Sequence, residues 1–168
     1  MTEVAIRLVT FCLDRQTYAL RLESVQRIIP AVEVTTLPEA PEAVLGVINL
    51  QGKIVPVLDV RTRFRLPQRQ IDLGDQLVVA NTETRTVAFI VDSVIGIVER
   101  PPHEITEANL ILRGLKYLQG VARLEDEMVF IHDLDTFLSL DEENELERAI
   151  NNCKRGKPLV RPVRLEEV

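Results

Sequence analysis

Two histidines and two matching aspartates are the side chains best suited to acid–base chemistry in this 168-residue chain. His103 follows a Pro-Pro pair in an expected loop, and His132 directly precedes Asp133 at the end of an apolar run. A catalytic site needs a nucleophile, a base and a stabilising group within mutual reach, and the sequence nominates no such set. We therefore interpret His103 as a surface residue and His132 as a partly buried structural residue.

Asp59 and Asp133 could form an acid and base pair, but each follows an apolar run and precedes a helix-forming segment. A carboxylate in that position accepts hydrogen bonds from the first amides of a helix, so the pattern favours two N-caps. The sequence lacks the glycine-rich phosphate loops, the HExxH zinc motif and the GxSxG serine motif. Cys12 and Cys153 lack the spacing of metal ligands. These patterns predict no enzymatic activity, no metal and no cofactor.

The charge of the chain bears on the partners it can bind. The net charge is −6 and the isoelectric point is about 5.1, whereas nucleic-acid-binding domains usually present a basic surface. A nucleic-acid-binding barrel would also need aromatic rings on that surface, and the five phenylalanines and two tyrosines are scattered along the sequence. Basic residues cluster only in residues 152–168, which we interpret as a loosely held, solvated tail. We expect no nucleic-acid partner.

The apolar segments are too short for a membrane protein. No run approaches the ~20 apolar residues that cross a bilayer, and Glu3 and Arg7 interrupt the apolar N-terminal run, unlike in a signal peptide. We expect a cytoplasmic protein without direct membrane insertion.

An internal repeat organises the sequence. Residues 18–28 align with residues 87–97, with identical alanine, serine, valine and isoleucine residues at matching places. A second block, residues 46–60, aligns with residues 120–134 and shares glycine, valine, leucine, valine and aspartate in order. The offsets are 69 and 74 residues, so the two blocks recur in the same order. The sequence therefore predicts a duplicated module.

Each copy of the module is predicted to consist mainly of short strands, because β-branched apolar runs alternate with polar turns. Pro56 lies inside one predicted strand and, since it cannot donate to a ladder, it predicts an edge strand or a bulge there. Helices are predicted at residues 41–45, 61–66 and 133–140, with a longer one at 141–151. Strands are predicted over residues 4–13, 16–22, 25–29, 46–50, 53–60, 76–81, 85–91, 94–98, 120–124 and 127–132.

One stretch of the sequence resembles a known family. Residues 46–64, GVINLQGKIVPVLDVRTRF, resemble the hallmark of the CheW family, which reads roughly GVxNLRGxIxPVxDLRxxF. Residues 18–28 resemble the family's strand–turn–strand segment, and residues 87–98 resemble its counterpart in the second half. The resemblance implies an all-β (mainly β) fold of two small SH3-like five-stranded β-barrel subdomains around a shared hydrophobic core, with a few short helices and a C-terminal helix.

The resemblance also implies a division of the chain. We expect a CheW-like domain over residues 4–140, with subdomains roughly at 14–74 and 75–140 that could exchange terminal segments. A C-terminal helix at 141–151 and a basic tail at 152–168 would follow.

The function that the resemblance implies is that of a non-catalytic adaptor in chemotaxis signal transduction. Such an adaptor joins the regulatory domain of a CheA-type histidine kinase to the cytoplasmic tip of a methyl-accepting chemoreceptor, and it needs no cofactor. The positions that match the family's kinase contact are Leu22, Val25, Arg27 and Gly46. The positions that match its receptor-binding groove are Leu50, Gln51, Leu77, Val94 and Ile97. Core packing is an alternative role for the apolar members of both sets.

Two positions depart from the family pattern. The family usually has arginine where this chain has Gln51, and commonly an acid where this chain has Arg27. Since glutamine cannot replace the charged planar fork of arginine, we hypothesise that the contact carries an inverted charge and is matched to the chain's own kinase or receptor.

Two other functions remain open at this point. The first is that of a CheW-like adaptor in a chemosensory pathway that does not control motility. The second, from a different class, is that of a small-ligand-binding β-barrel protein, which would need a cavity with a few convergent polar groups. The inward positions of the predicted strands are mostly aliphatic, which favours the adaptor.

Overall fold

The computed structural model describes residues 4–107, 117–155 and 162–163. As predicted, these residues are mainly β, with few helices. The strands are β1 (Ile6–Leu13), β2 (Gln16–Arg21), β3 (Val25–Pro30), β4 (Val44–Leu50), β5 (Lys53–Leu58), β6 (Gln76–Asn81), β7 (Thr86–Val91), β8 (Ser93–Arg100), β9 (Ile105–Glu107), β10 (Leu118–Leu124) and β11 (Glu127–His132). The helices are α1 (Val60–Arg63) and α2 (Leu140–Arg155), with 3-10 turns at Leu22–Ser24, Pro102–Glu104 and Leu134–Thr136.

The strands form two sheets that exchange hairpins between the two repeats. The first sheet has six strands in the order β8-β1-β2-β11-β10-β9, and the second has five in the order β3-β6-β7-β5-β4. The first sheet thus combines the β1–β2 hairpin with strands from the end of the chain, and the second encloses the β6–β7 hairpin between strands that precede it. The ladders therefore group the strands differently from a cut between residues 74 and 75, and the subdomain boundaries stay a prediction.

The duplication is visible in the register of the ladders. In the second sheet β5 runs parallel to β7 with Val57 opposite Ala88, and in the first sheet β11 runs parallel to β2 with Ile131 opposite Ala19. Val57 and Ile131 match in the second repeat block, as Ala88 and Ala19 match in the first. The two repeats therefore have equivalent backbone pairings, each completed by a hairpin from the other.

Two glycines mark equivalent bulges, one in each sheet. The β4–β5 register shifts between Val44 and Gly46, and the β10–β11 register shifts between Leu118 and Gly120. A Cβ on Gly46 would lie 2.2 Å from the carbonyl oxygen of Thr35, and a Cβ on Gly120 would lie 2.8 Å from that of Thr106. Both glycines therefore permit a close backbone approach that a side chain would block.

Both faces of the central strands of each sheet are buried. Within β6, Leu77 and Val79 pack in a cluster made by the second sheet alone, whereas Val78 and Ala80 face a larger cluster that both sheets and α2 share. The first sheet has its own inner cluster around Leu8 as well. A strand whose alternate residues are buried on opposite sides needs cover on both, which is consistent with two curled, barrel-like sheets around a shared hydrophobic core.

The aromatic residues converge, although they are scattered in the sequence. Ring contacts link all five phenylalanines and both tyrosines of the chain, with His132, into one connected series. The centre of this series is Tyr18, whose ring lies 4.9 to 6.4 Å from the rings of its four neighbours. Residues far apart along the chain meet here because the ladder between β2 and β11 joins the two repeats.

The predicted N-caps are confirmed, but several helix bounds were wrong. The Asp59 side chain accepts from the Thr62 amide at 3.1 Å, and the Asp133 side chain accepts from the Asp135 amide at 3.0 Å. The segment after Asp59 is helical only over α1, and the segment after Asp133 is a single 3-10 turn. The predicted helix at residues 41–45 is a single turn closed by the Val44 amide on the Pro41 carbonyl at 3.0 Å, and β4 begins at Val44.

Of the two alternatives that Pro56 predicted, the edge strand was wrong, since β5 lies between β7 and β4. The β4–β5 ladder does contain a bulge one pair away from Pro56, where the register shifts between Val44 and Gly46. Pro56 is opposite Val47 in the β4–β5 ladder, and the parallel ladder with β7 starts only at Val57. Pro56, which has no amide hydrogen, therefore lies one residue before the point where β5 begins to pair with β7.

Two described parts of the predicted tail, residues 152–155 and 162–163, have backbone structure, and the rest of the predicted tail lies outside the described residues. Helix α2 continues to Arg155, and Leu146, Ala149 and Ile150 pack in the shared core. Further on, the Val163 amide donates to the Asn49 carbonyl at 2.7 Å, and Val163 packs against the cluster of the second sheet. The helix is longer than predicted because its apolar stripe finds a core that both sheets provide.

Candidate protein-binding surfaces

The chain passes between the two sheets at two equivalent crossings. The 3-10 turn Leu22–Ser24 leads from β2 to β3, and Asp92 leads from β7 to β8. Immediately after each crossing a valine, Val25 or Val94, lies partly buried against the shared core. The structure therefore places Val25 and Val94, which were predicted for different partners, in equivalent environments.

The strands that follow the crossings, β3 and β8, are the outermost strands of their ladders. Ile28 on β3 is 37% exposed, and on β8 Ile95 is 60% and Ile97 is 61% exposed. The Val94 amide donates to the Gln76 side chain at 2.7 Å, which places the start of β8 beside the end of the β3–β6 ladder.

Five apolar residues of these two strands are exposed or only partly buried, and we call them the edge-strand surface: Val25, Ile28, Val94, Ile95 and Ile97. An outermost strand offers free backbone donors and acceptors, and exposed apolar side chains beside them lose water favourably when a partner covers them. This combination can bind a partner's strand or the apolar face of a partner's helix.

The remaining residues predicted for the receptor groove do not join this surface. Leu50 and Leu77 are buried in the cluster of the second sheet, so their side chains act as core. Gln51 is exposed in the tight turn between β4 and β5, where both Gln51 and Gly52 have positive φ angles. The role of these three residues in receptor binding stays a prediction, and the structure separates them from Ile97.

The residues predicted for the kinase contact are spread over two strands and a turn. Leu22 is half-buried at the first crossing, and Arg27 is half-buried on β3. Gly46 is buried on β4, the outermost strand on the opposite side of the second sheet. Arg27 and Gln51 share no hydrogen bond or ion pair in the described ranges, so the structure gives no sign that they pair. Gly46 can influence a partner only through the backbone that it shapes.

An ionic network that the sequence did not reveal holds the second crossing. The Asp92 carboxylate accepts from the Asp14 amide at 2.8 Å, from Arg61 at 2.6 Å and from Arg69 at 2.5 Å. Arg69 also donates to Asp75 at 2.6 Å. Although burial raises the pKa of Asp92, these hydrogen bonds hold it below its ordinary value.

The counterpart of Asp92 in the first repeat behaves differently. Within the described ranges, the ionic contact of Glu23 is with Arg21 at 3.9 Å, and the Glu23 side chain is 68% exposed. A comparison of the two repeats could have flagged this position, but the partners of Asp92 come from segments that the repeat does not align.

Other kinds of site find little support in the described part of the chain. Over residues 4–107, 117–155 and 162–163, no three histidine, cysteine, aspartate or glutamate side chains cluster as metal ligands would. Among the described helices, none has the length and apolar character needed to cross a membrane.

Comparison with known proteins agrees with the geometry. The CheW-like domain matches residues 7–142. The chain is 29% identical over 134 residues to the chemotaxis protein CheW of Klebsiella aerogenes, a match that covers 79% of this chain and 81% of that protein. It is 25% identical over 142 residues to the chemotaxis protein CheW of Treponema pallidum, covering 81% and 84%.

A solved structure has the same fold. The scaffolding protein TtCheW from Thermoanaerobacter tengcongensis superposes with a TM-score of 0.75 at 26% sequence identity, over 83% of this chain and 96% of that protein.

Proposed function

The chain belongs to the CheW-like domain family, and we propose that it is a non-catalytic adaptor that couples a CheA-type histidine kinase to methyl-accepting chemoreceptors in chemotaxis. The observation that carries the proposal is the edge-strand surface, where the outermost strands of the two described sheets present exposed isoleucines. An adaptor must touch two partners at once, and the duplicated fold supplies two equivalent edges. As a partner of cytoplasmic domains, it would act in the cytoplasm.

The receptor side of the proposal rests on β8. Ile95 and Ile97 are exposed on the same face of this strand, because residues two apart in a strand point the same way. The receptor tip is a helical hairpin, and an amphipathic helix binds an apolar surface through residues on one of its faces. We therefore assign the receptor contact to β8, with Val94 supporting it from the shared core.

The kinase side of the proposal rests on β3 and the crossing before it. Leu22 begins the Leu22–Ser24 turn, Val25 follows it, and Arg27 lies half-buried on the strand. The related regulatory domain of the kinase can pair with the free edge of β3, since backbone hydrogen bonds give affinity and the side chains give specificity.

Co-sedimentation with kinase and receptor-containing membranes from the same organism tests the proposal. We expect Ile97→Arg to reduce the protein recovered with receptor membranes about 10-fold or more, because a charge would replace a buried apolar contact. Met128→Arg is the matched control, since Met128 is 49% exposed on β11, away from this surface. Wild-type recovery of Ile97→Arg in the presence of both partners would contradict the receptor assignment.

The inverted charge at Arg27 and the neutral side chain at Gln51 concern the choice of partner. We propose that these residues match the chain to its own kinase or receptor, because like charges across an interface exclude other partners. Arg27→Glu and Gln51→Arg should each change the preference between cognate kinases or receptors and those of another system in a pull-down. An unchanged preference in both variants would reject this part of the proposal while leaving the adaptor function intact.

A further inference from the structure

The outer edge of β4, on the side away from β5, pairs with two other parts of the chain. The Thr35 amide donates to the Val47 carbonyl at 3.0 Å, and the Thr35 carbonyl accepts from the Val47 amide at 2.8 Å. Two residues further along β4, the Asn49 carbonyl accepts from the Val163 amide at 2.7 Å. Because β4 is the outermost strand of its ladder, its outward backbone groups can pair with an additional strand.

The contact at Asn49 has the geometry of an added strand. Asn49 and Pro162 form a parallel bridge, in which the next residue, Val163, supplies the donor. Proline fits this position because its own nitrogen does not have to donate to β4. The Asn49 side chain accepts from the Gly52 amide at 2.9 Å and closes the β4–β5 turn. We call Pro162 and Val163 the C-terminal contact.

Side-chain packing supports this backbone pairing. Val163 is partly buried against the cluster of the second sheet. Three other partly buried residues pack against the same cluster: Val32, Val34 and Ile90. Removal of these apolar groups from water favours the docked segment. A sheet edge binds an extended peptide through backbone hydrogen bonds and packed side chains together, and the C-terminal contact has both.

The charges of the two segments are complementary. Residues 31–52, which include Thr35 and β4, contain three glutamates and no lysine or arginine. Residues 152–165 contain five lysines and arginines and no acid. The Asn152 side chain already donates to the Glu39 carboxylate at 3.4 Å. Attraction between exposed charges is screened by salt, so it guides the segment toward the edge more than it holds the segment there.

We propose that the outer edge of β4 is a binding site for an extended segment, and that the C-terminal contact occupies it as a built-in competitor of the receptor. The sequence predicts Leu50 and Gln51, which follow Asn49, for the receptor groove, and Gln51 is exposed. Gln51 lies about 7 Å along the chain from Asn49, so a receptor helix about 10 Å wide that contacts Gln51 would overlap the docked segment. The competition rests on the proposed adaptor function, whereas the strand-binding site does not.

The first experiment asks whether the edge binds the segment in trans. The probe is a synthetic peptide with the sequence of residues 157–168, titrated into the full chain and followed by NMR through the Val47 and Asn49 amide signals. Val163→Asp in the full chain should free the edge, because a charge would lie beside the apolar cluster, and this variant should bind the peptide saturably. The wild-type chain should bind it at least about 5-fold more weakly, since its own tethered segment competes at a high effective concentration.

Two controls separate the edge from general effects of an added charge. Val4→Asp changes a valine that is 84% exposed near the other end of the chain, and this variant should behave like wild type. A peptide that itself carries Val163→Asp should cause no saturable shifts. Equal binding of the unaltered peptide to the wild-type and Val163→Asp chains, or no saturable binding to the Val163→Asp chain, would overturn the strand-binding site.

The second experiment measures competition with the receptor. Co-sedimentation with receptor-containing membranes should recover about 3-fold more Val163→Asp than wild type, because a site that is occupied in most molecules has a reduced apparent affinity. Equal recovery of the two proteins would overturn the competition, while the peptide titration still decides the strand-binding site. Absence of both proteins from the membrane pellet would contradict the adaptor function and the competition together.

Discussion

Leu58 and His132 end equivalent strands in the two repeats, yet the two positions differ in chemistry. Leu58 packs in the shared core and needs no polar partner, and the next residue, Asp59, accepts hydrogen bonds from the amide and hydroxyl of Thr62 and from Gln68. His132 lies among aromatic rings, its ring nitrogens have no well-formed hydrogen bond within the part of the chain that the structure describes, and Asp133 caps a 3-10 turn. Equivalent strand ends thus carry an aliphatic side chain in one repeat and a buried imidazole among aromatic rings in the other.

A second pair of equivalent positions shows the opposite distribution. Glu23 at the first crossing is exposed, whereas Asp92 at the second accepts from two arginines and a backbone amide. The two repeats therefore share their strand pairings but differ in the side-chain contacts at equivalent positions. Backbone pairing is shared because it depends on apolar periodicity, and the side chains at crossings and strand ends are free to diverge.

The largest effect should come from the two bulge glycines. Gly46→Ala should lower the free energy of unfolding by about 3 kcal/mol or more, and Gly120→Ala by about 1–2 kcal/mol, because the added Cβ would press harder on the Thr35 carbonyl than on the Thr106 carbonyl. Urea denaturation measures both values. Gly96→Ala is the control and should change little, since nothing lies within 4 Å of its Cβ position. A cost for Gly120→Ala as large as that for Gly46→Ala would break the ranking of the two bulges.

The second-largest difference in stability should be between variants at the two crossings. Asp92→Ala should lower the free energy of unfolding by about 2–3 kcal/mol, because Arg61, which is 8% exposed, loses its carboxylate partner at 2.6 Å and keeps only the Asp14 carboxylate at 4.0 Å among the described residues. Glu23→Ala should stay within about 0.5 kcal/mol, as expected for an exposed pair. Chemical denaturation of both variants at neutral pH measures the contrast. Similar small losses in the two variants would show that the network does not hold the second crossing.

The third prediction concerns the pH dependence of the two strand ends. The pKa of His132 is about 3 in the folded protein and 6.5 when exposed, so only the unfolded state takes up a proton as the pH falls below about 6.5. The free energy of unfolding should therefore fall by about 1.4 kcal/mol per pH unit between about pH 6 and pH 5. His132→Leu, which copies the Leu58 strand end, should lose this slope, and His103→Leu should keep it.

Denaturation midpoints at a series of pH values measure this slope. The shifted carboxyl groups do not interfere, because the pKa values of Asp75, Asp92 and Glu142 are lowered from 3.8, 3.8 and 4.5. Their contributions to stability are lost only at pH values below the window. A wild-type slope that persists in His132→Leu would mean that another group causes it.

Much of the fold was predictable from local patterns. The repeat, most strands and the caps at Asp59 and Asp133 depend on residues a few positions apart, and the structure confirms them. The assignment of Leu50 and Leu77 to a binding groove was less accessible to such patterns. An apolar residue in a strand gives the same sequence pattern whether its side chain packs in a core or contacts a partner. Leu50 and Leu77 both pack in the cluster of the second sheet.

By itself the sequence determined that the chain is a duplicated β module, because apolar periodicity and turn residues are local, and the resemblance of residues 46–64 to the family hallmark indicated the CheW type. Only the tertiary structure decided which hairpin completes which sheet, since β2 and β7 have similar sequences and either could serve the same ladder by local criteria. It also decided that Asp14 meets Asp92 across 78 residues of sequence and that the scattered aromatic rings join beside His132. Those contacts depend on chain closure over long separations, which no short-range pattern encodes.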